Sequence, residues 1–178
     1  MLKILSRLTS RKRTEIRDAR RIYQETMAQS RKPAFYGDDL CPDSTDGRME
    51  ILCMHLSTIM FALRAHGDTG AKLTQAIYDV MIQDFDVALR EEGLSDTGVS
   101  RRIKPLATMF FTRAKSYADA FEATEDTQGL VKAIIEEYVC NPGKPDGFAD
   151  YTVNFLNNLQ AQSLGAIAQG ELDFPKFH

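Results

Sequence analysis

Residues 43–63 read DSTDGRMEILCMHLSTIMFAL, and this stretch decides the fold. Met49, Leu52, Leu56, Ile59, Met60 and Leu63 recur every three or four residues, the spacing of one face of an α-helix. Ahead of them, Asp43, Ser44 and Asp46 offer oxygens that can cap the free N–H groups of a first turn. Glu50 stands three residues after Gly47, as in a capping box. The predicted helix runs over 46–65, and Gly67 stops it. Arg48 in the first turn opposes the helix dipole and calls for a carboxylate, with Asp43 and Asp86 as candidates and a buried ion pair as the expected form.

The same period continues on both sides. A helix over 12–30 carries Ile16, Ala19, Ile22, Tyr23 and Met27 on one stripe, and it ends at Lys32-Pro33, because the residue before a proline is pushed out of the helical region. A linker over 33–42 follows, with Phe35 and Tyr36 expected to pack back onto the body. Downstream, helices are predicted over 71–92, closed by Gly93, and from Asp96 or Ser100 to Phe121. Pro105 either bends the latter or marks its true start. A shorter helix over 128–139 is broken by CNPGKPDG at 140–147, and a last one spans 148–168. The tail from Gly170 carries two phenylalanines, Phe174 and Phe177, that read as exposed. No alternating pattern with hairpin turns is present. The prediction is an all-α, single compact domain of about six helices, divided into a basic amphipathic N-terminal arm over 1–12 and a helical body over 13–178.

Charge is distributed unevenly. Residues 1–32 hold ten Lys and Arg against three carboxylates, +7, which leaves twelve against twenty-two, −10, for the rest of the 178-residue chain. A basic arm on an acidic body suits docking on an anionic partner, or is simply a soluble helix that happens to be basic. Leu2, Lys3, Leu5, Arg7, Leu8 and Arg11 place apolar and cationic groups side by side, as an anionic membrane surface requires. No run of about 18 apolar residues is present to span a bilayer. The first residues lack the apolar core of a secretory signal and read as part of the mature protein. Cys41, Cys53 and Cys140 are odd in number and widely spaced, the usage of reduced thiols in a cytosol-like compartment.

Reactive groups are scarce. Three histidines, His55, His66 and His178, share no helix face at i, i+4, and HExxH is absent, which excludes protease-type zinc. The nucleophile elbow, the dinucleotide fingerprint and the phosphate loop are likewise missing. A Cys41–His66 pair has no local support. The acidic group Asp79, Asp84, Asp86, Glu91 and Glu92 lacks the Glu-x-x-His pairs of a di-iron site and reads as a solvated face. The expectation is a protein that is not an enzyme, with no cofactor, no metal and no small-molecule substrate. Seven methionines and ten phenylalanines mostly fill the core, and a minority can supply adaptable apolar surface.

Two strings carry a family resemblance. Pro42-Asp43-x-x-Asp46-Gly47-Arg48-x-Glu50 before an aliphatic helix resembles the opening motif of the ubiquinol–cytochrome c chaperone family. Phe85-Asp86-x-x-Leu89-Arg90-Glu91-x-Gly93-x-x-Asp96-x-x-Val99-x-x-Arg102-Ile103-Lys104 is similar to that family's central motif. Tyr36-Gly37 and Ala118 to Phe121 fit its layout, and the likeness covers about residue 20 to the end. Met49 stands where an aromatic is usual, and Pro105 where an ordinary helix former is expected. The short basic N-terminus is similar to bacterial members that lack a mitochondrial presequence.

The resemblance implies an assembly chaperone that binds newly made apo-cytochrome b and assists its incorporation into the ubiquinol–cytochrome c reductase (bc1) complex. The partner-binding candidates are Tyr36 ahead of the first string, Asp43, Asp46, Arg48 and Glu50 within it, and Asp86 and Arg90 from the second. The end of the second string adds Arg101, Arg102 and Lys104 as a basic patch for an acidic segment. A ribosome or a small helper protein is a further expected partner. The expected location is the cytoplasm, peripheral at the inner membrane, or the matrix side in a mitochondrion. A second reading of another class is a ribosome- or RNA-associated protein acting through the basic arm.

Overall fold

The computed structural model describes the backbone of residues 2–139 and 144–177, and the side chains of these from residue 12 onward. The chain order is α1 (Leu2–Ser30), α2 (Thr45–Leu63), α3 (Gly67–Glu91), α4 (Asp96–Glu122), α5 (Thr127–Tyr138), α6 (Pro145–Ala161) and α7 (Leu164–Ala168), with 3-10 turns at Pro33–Phe35 and Arg64–His66. The all-α expectation holds. Among the described residues there is no strand, only an isolated bridge between Tyr36 and Cys41. No described helix is long and apolar enough to cross a membrane.

The opening stretch forms the axis of the molecule. Every residue of α2 from Ile51 to Met60 is buried, because this helix is apolar nearly all round and so needs neighbours on every side. Leu52, Leu56, Ile59 and Leu63 point into one core with Ile22, Ile77, Phe110 and Phe155. Ile51 and Met54, on the opposite side, enter a second core with Phe35, Tyr117, Ile135 and Phe148. α1 and α3 therefore close over one flank of α2, α5 with the 33–41 linker closes over the other, and α4 and α6 contribute to both. Each fully buried Leu or Ile contributes roughly 1.5–3 kcal/mol, so this double core accounts for the chain folding around a single helix.

Caps and breaks explain the boundaries. Of the three cap candidates, Ser44 caps α2, accepting from the Gly47 N–H at 3.1 Å. Gly67 at φ +55° turns the chain, and α3 starts there, earlier than the predicted residue 71. The corner is tight. A Cβ on Gly70 would lie 1.9 Å from the Leu63 carbonyl oxygen, so only glycine fits. α3 ends as predicted at Gly93 (φ +87°), with Leu94 N–H donating to Leu89 O and Gly93 N–H to Arg90 O, a Schellman closure. Ser95 caps α4 by accepting from Gly98 N–H, so the helix starts at Asp96, the earlier of the two expected starts. Pro105 is thus interior to α4. It denies the Arg101 carbonyl its helical donor at an exposed site where water can substitute.

Two expectations about the C-terminal region need correction. The helix predicted over 148–168 is broken: Gln162 is extended, and Ser163 caps α7 by accepting from Ala166 N–H at 3.2 Å. The tail phenylalanines are not exposed. Phe174 stacks on Phe155 with ring centroids 4.8 Å apart, and Phe177 sits 4.6 Å from Phe148 and 4.9 Å from Phe35. Cys41 and Cys53 are buried and form no disulfide among the described residues. Cys140 and His178 lie outside the described residues, as do the side chains of Leu2, Lys3, Leu5, Arg7, Leu8 and Arg11. The backbone at 2–11 is helical and continuous with α1.

Candidate partner-binding face

The first string builds a rigid corner. Gly47 is required because a Cβ would come within 2.1 Å of the Pro42 carbonyl oxygen and 3.0 Å of Cys41 Sγ. That close approach places Asp46 and Arg48 on the outside of the first turn of α2. Arg48 Nε donates to Asp43 Oδ1 at 2.6 Å, and both side chains are about half exposed, at 54% each. The expected buried ion pair is therefore a surface one, and Asp86 takes no part in it. The bond to Arg48 lowers the Asp43 carboxyl from its ordinary value. Behind the pair, Arg48 lies 5.8 Å from the centre of the Tyr36 ring. The Tyr36 hydroxyl donates to the Ser30 carbonyl, and burial pushes its pKa up to about 12. Tyr36 thereby ties the linker to the end of α1.

Glu50 does not close a capping box. It points toward α4 and accepts two hydrogen bonds from Arg113, at 2.7 and 2.8 Å, across 63 residues of sequence. The pair is largely covered, with side-chain exposures of 16% and 12%. Arg113 is also held from the other side, its guanidinium carbon 3.5 Å from the centre of the Tyr138 ring. The bonds that Arg113 donates to Glu50 raise its pKa, against the lowering effect of burial. Neither Arg113 nor Tyr138 was among the residues singled out by sequence. A glutamate facing an otherwise aliphatic helix was the one available signal that a distant cation had to exist.

The second string makes another clamp. Arg90 donates to Asp86 at 2.6 Å and also to Asp96, joining the last turn of α3 to the first turn of α4. Both carboxylates raise the Arg90 pKa, with the hydrogen bonds as the larger cause. Asp86 and Arg90 are thus occupied with each other. By contrast, Arg101, Arg102 and Lys104 are exposed and form no ion pair among the described residues. They lie along the outward side of α4, where Arg101 and Lys104 border an open depression with Pro105, Met109 and Arg113. At 1.5 Å per residue, Lys104 is about 14 Å along the helix from Arg113, so one rail, α4, carries both the open cations and the one anchored to Glu50.

The neighbouring side of α4 is apolar. Phe61, Tyr78, Phe110 and Phe111 line a cleft of about 240 Å³ between α2, α3 and α4. Phe111 is 56% exposed, the most exposed large apolar side chain among those described. At the cleft's buried edge, Ser57 Oγ has no hydrogen-bond partner.

Comparison with known proteins fits this architecture. The family model described as ubiquinol–cytochrome c chaperone matches residues 40–174, which takes in both clamps and the α4 rail. The chain belongs to the ubiquinol–cytochrome c chaperone family. The crystal structure of the Cbp3 homolog from Brucella abortus superposes with a TM-score of 0.78 at 26% identity, over 99% of this chain and 98% of that one. That match includes α1, which lies ahead of the region defining the family. No curated protein matches the chain. Membership gives the α4 rail its context, a chaperone of the ubiquinol–cytochrome c system.

Proposed function

We propose that this chaperone holds newly made apo-cytochrome b and passes it into the bc1 complex, gripping it along the outward side of α4. The supporting observation is that α4 carries uncompensated cations, Arg101, Arg102 and Lys104, beside the open aromatic cleft at Phe111. Unpaired surface cations recruit carboxylates and carbonyl oxygens, and exposed aromatics take apolar side chains. A membrane protein not yet assembled presents both. The Glu50–Arg113 and Asp86–Arg90–Asp96 clamps hold the rail in place and need not touch the client. Gripping calls for no reacting group, and the reading assigns none. The N-terminal part of α1 keeps the chaperone at an anionic membrane surface, where its client is inserted.

The test is deletion of the gene followed by absorbance spectra of the membranes. The expected result is selective loss of the b-type signal, with other cytochromes retained. Complementation with an Arg101→Glu, Lys104→Glu variant should leave the defect in place, whereas restoration by that variant removes the α4 rail from the mechanism.

A further inference from the structure

A second surface lies on α1, away from both family strings. Arg13, Ile16, Arg17, Arg20, Met27 and Arg31 recur at intervals of three and four, so they share one stripe. The opposite stripe of the same helix, Ala19, Ile22, Tyr23 and Thr26, is buried. α3 supplies a second wall with Val80, Asp84 and Val87, making a groove along α1. Its floor is pinned by the Tyr23 hydroxyl donating to Asp84 at 2.8 Å. Beyond its Arg20 and Gln24 end, Arg13 and Ile16 border a shallower depression on α1 itself.

Two features distinguish this groove from a solvated helix face. Arg13, Arg20 and Arg31 form no ion pair among the described residues, while the nearby Asp18 is engaged with Arg17 and Arg21. Between these cations lie apolar groups open to solvent, with Ile16 36% and Val87 47% exposed and Met27 half-buried. Cations alternating with apolar side chains in a concave channel specify their complement.

We infer that the α1–α3 groove is a docking site for an acidic amphipathic helix of a protein partner. The partner's carboxylates meet Arg13, Arg20 and Arg31, and its apolar stripe fills the channel over Met27 and Val87. From Arg13 to Arg31 the stripe is about 27 Å long, room for a helix of about eighteen residues. Asp84 on the α3 wall sets the orientation, since a carboxylate opposite it is repelled and a cation or amide is accepted. A planar bilayer cannot enter a channel between two helices, and RNA has no aliphatic side chains to cover Met27, Val80 and Val87. The inference stands apart from the client reading, because the peptide experiment can fail while the cytochrome b phenotype remains intact.

The test uses the full chain, wild type and an Arg20→Glu, Arg31→Glu variant, both side chains being exposed and outside the cores. A displayed library of random helical peptides is selected on the wild type, and binding of the enriched peptides is measured by fluorescence anisotropy. Acidic amphipathic sequences should be enriched, and the variant should bind them at least about tenfold more weakly, with the difference shrinking in salt. Val87→Ser should weaken the same peptides without changing the salt dependence. The inference is overturned if nothing is enriched, if enriched peptides carry no acidic stripe, or if the variant binds them equally. It is also overturned if single-stranded RNA, anionic vesicles or a second copy of the chain is what binds the wild type in a manner dependent on Arg20 and Arg31.

Discussion

His55 sits at the centre of α2, wholly buried, and its protonation is where acid should act on this fold. Its Nδ1 lies 2.8 Å from the Ile51 carbonyl and 3.3 Å from Ser30 Oγ, and its Nε2 lies 2.8 Å from the Tyr151 hydroxyl. Gln29 donates to the same hydroxyl at 2.9 Å, so α1, α2 and α6 meet at this ring. Phe35, Phe155 and Phe174 surround it edge-on. Burial lowers its pKa from 6.5 to about 4. The unfolded chain therefore takes up the proton first, and the contribution of His55 to stability is constant above about pH 6.5 but falls as pH drops from there toward 4. Each pH unit inside that window costs about 1.4 kcal/mol, or about 2 kcal/mol by pH 5. Total stabilities of domains this size are about 5–15 kcal/mol, so the loss is readily measured. Urea unfolding of wild type and His55→Gln, followed by far-UV circular dichroism at pH 7.5 and pH 5.0, isolates the effect. The wild type should lose about 2 kcal/mol more than the variant between the two conditions. The Asp43 carboxyl, already lowered by Arg48, titrates below this window and cancels in the comparison. An equal loss in both proteins refutes the assignment of a neutral, proton-refusing His55.

Arg113→Met should destabilise the fold by about 2 kcal/mol, by stranding Glu50 in a largely covered site. Adding Glu50→Gln should return much of that loss, as read by urea midpoints of the single and double variants. Gly47→Ala should lower the melting temperature by several degrees, because the new methyl meets a backbone carbonyl that cannot move aside cheaply. A melting temperature equal to wild type contradicts that account of the glycine. Removing residues 1–13 should release the protein from anionic liposomes in a sedimentation assay, and undiminished binding by the truncated chain would place the membrane contact elsewhere.

Much of the fold was legible because helix signals are local. The three-and-four spacing from Met49 to Leu63, the Lys32-Pro33 stop and the closures at Gly67 and Gly93 each act within a turn or two of chain. Misreadings arose where the deciding contact is distant. Glu50 looked like a capping residue because its true partner, Arg113, is brought close only by the packing of α4 on α2. Phe174 and Phe177 read as exposed because a short tail after a glycine carries no period. Their burial follows from the aromatic floor formed by Phe35, Phe148 and Phe155. Ser44 was among the caps the sequence offered for α2, whereas at α4 Ser95 caps in place of the neighbouring Asp96. Of the candidate face, the residue types were readable, but not which were already engaged. Arg48, Asp86 and Arg90 have partners within this chain, while Arg101, Arg102 and Lys104 remain open. That division depends on side-chain placement at the start of α2 and at the α3–α4 corner.

The claim that α4 is the gripping rail is tested most directly by placing a photo-crosslinking amino acid at Thr108, exposed between Lys104 and Thr112, and irradiating cells during synthesis of cytochrome b. The account predicts a crosslink to newly made cytochrome b from Thr108 and none from the same probe at exposed Glu125 beyond the end of the helix. Equal capture from both positions, or capture from Glu125 alone, would contradict it.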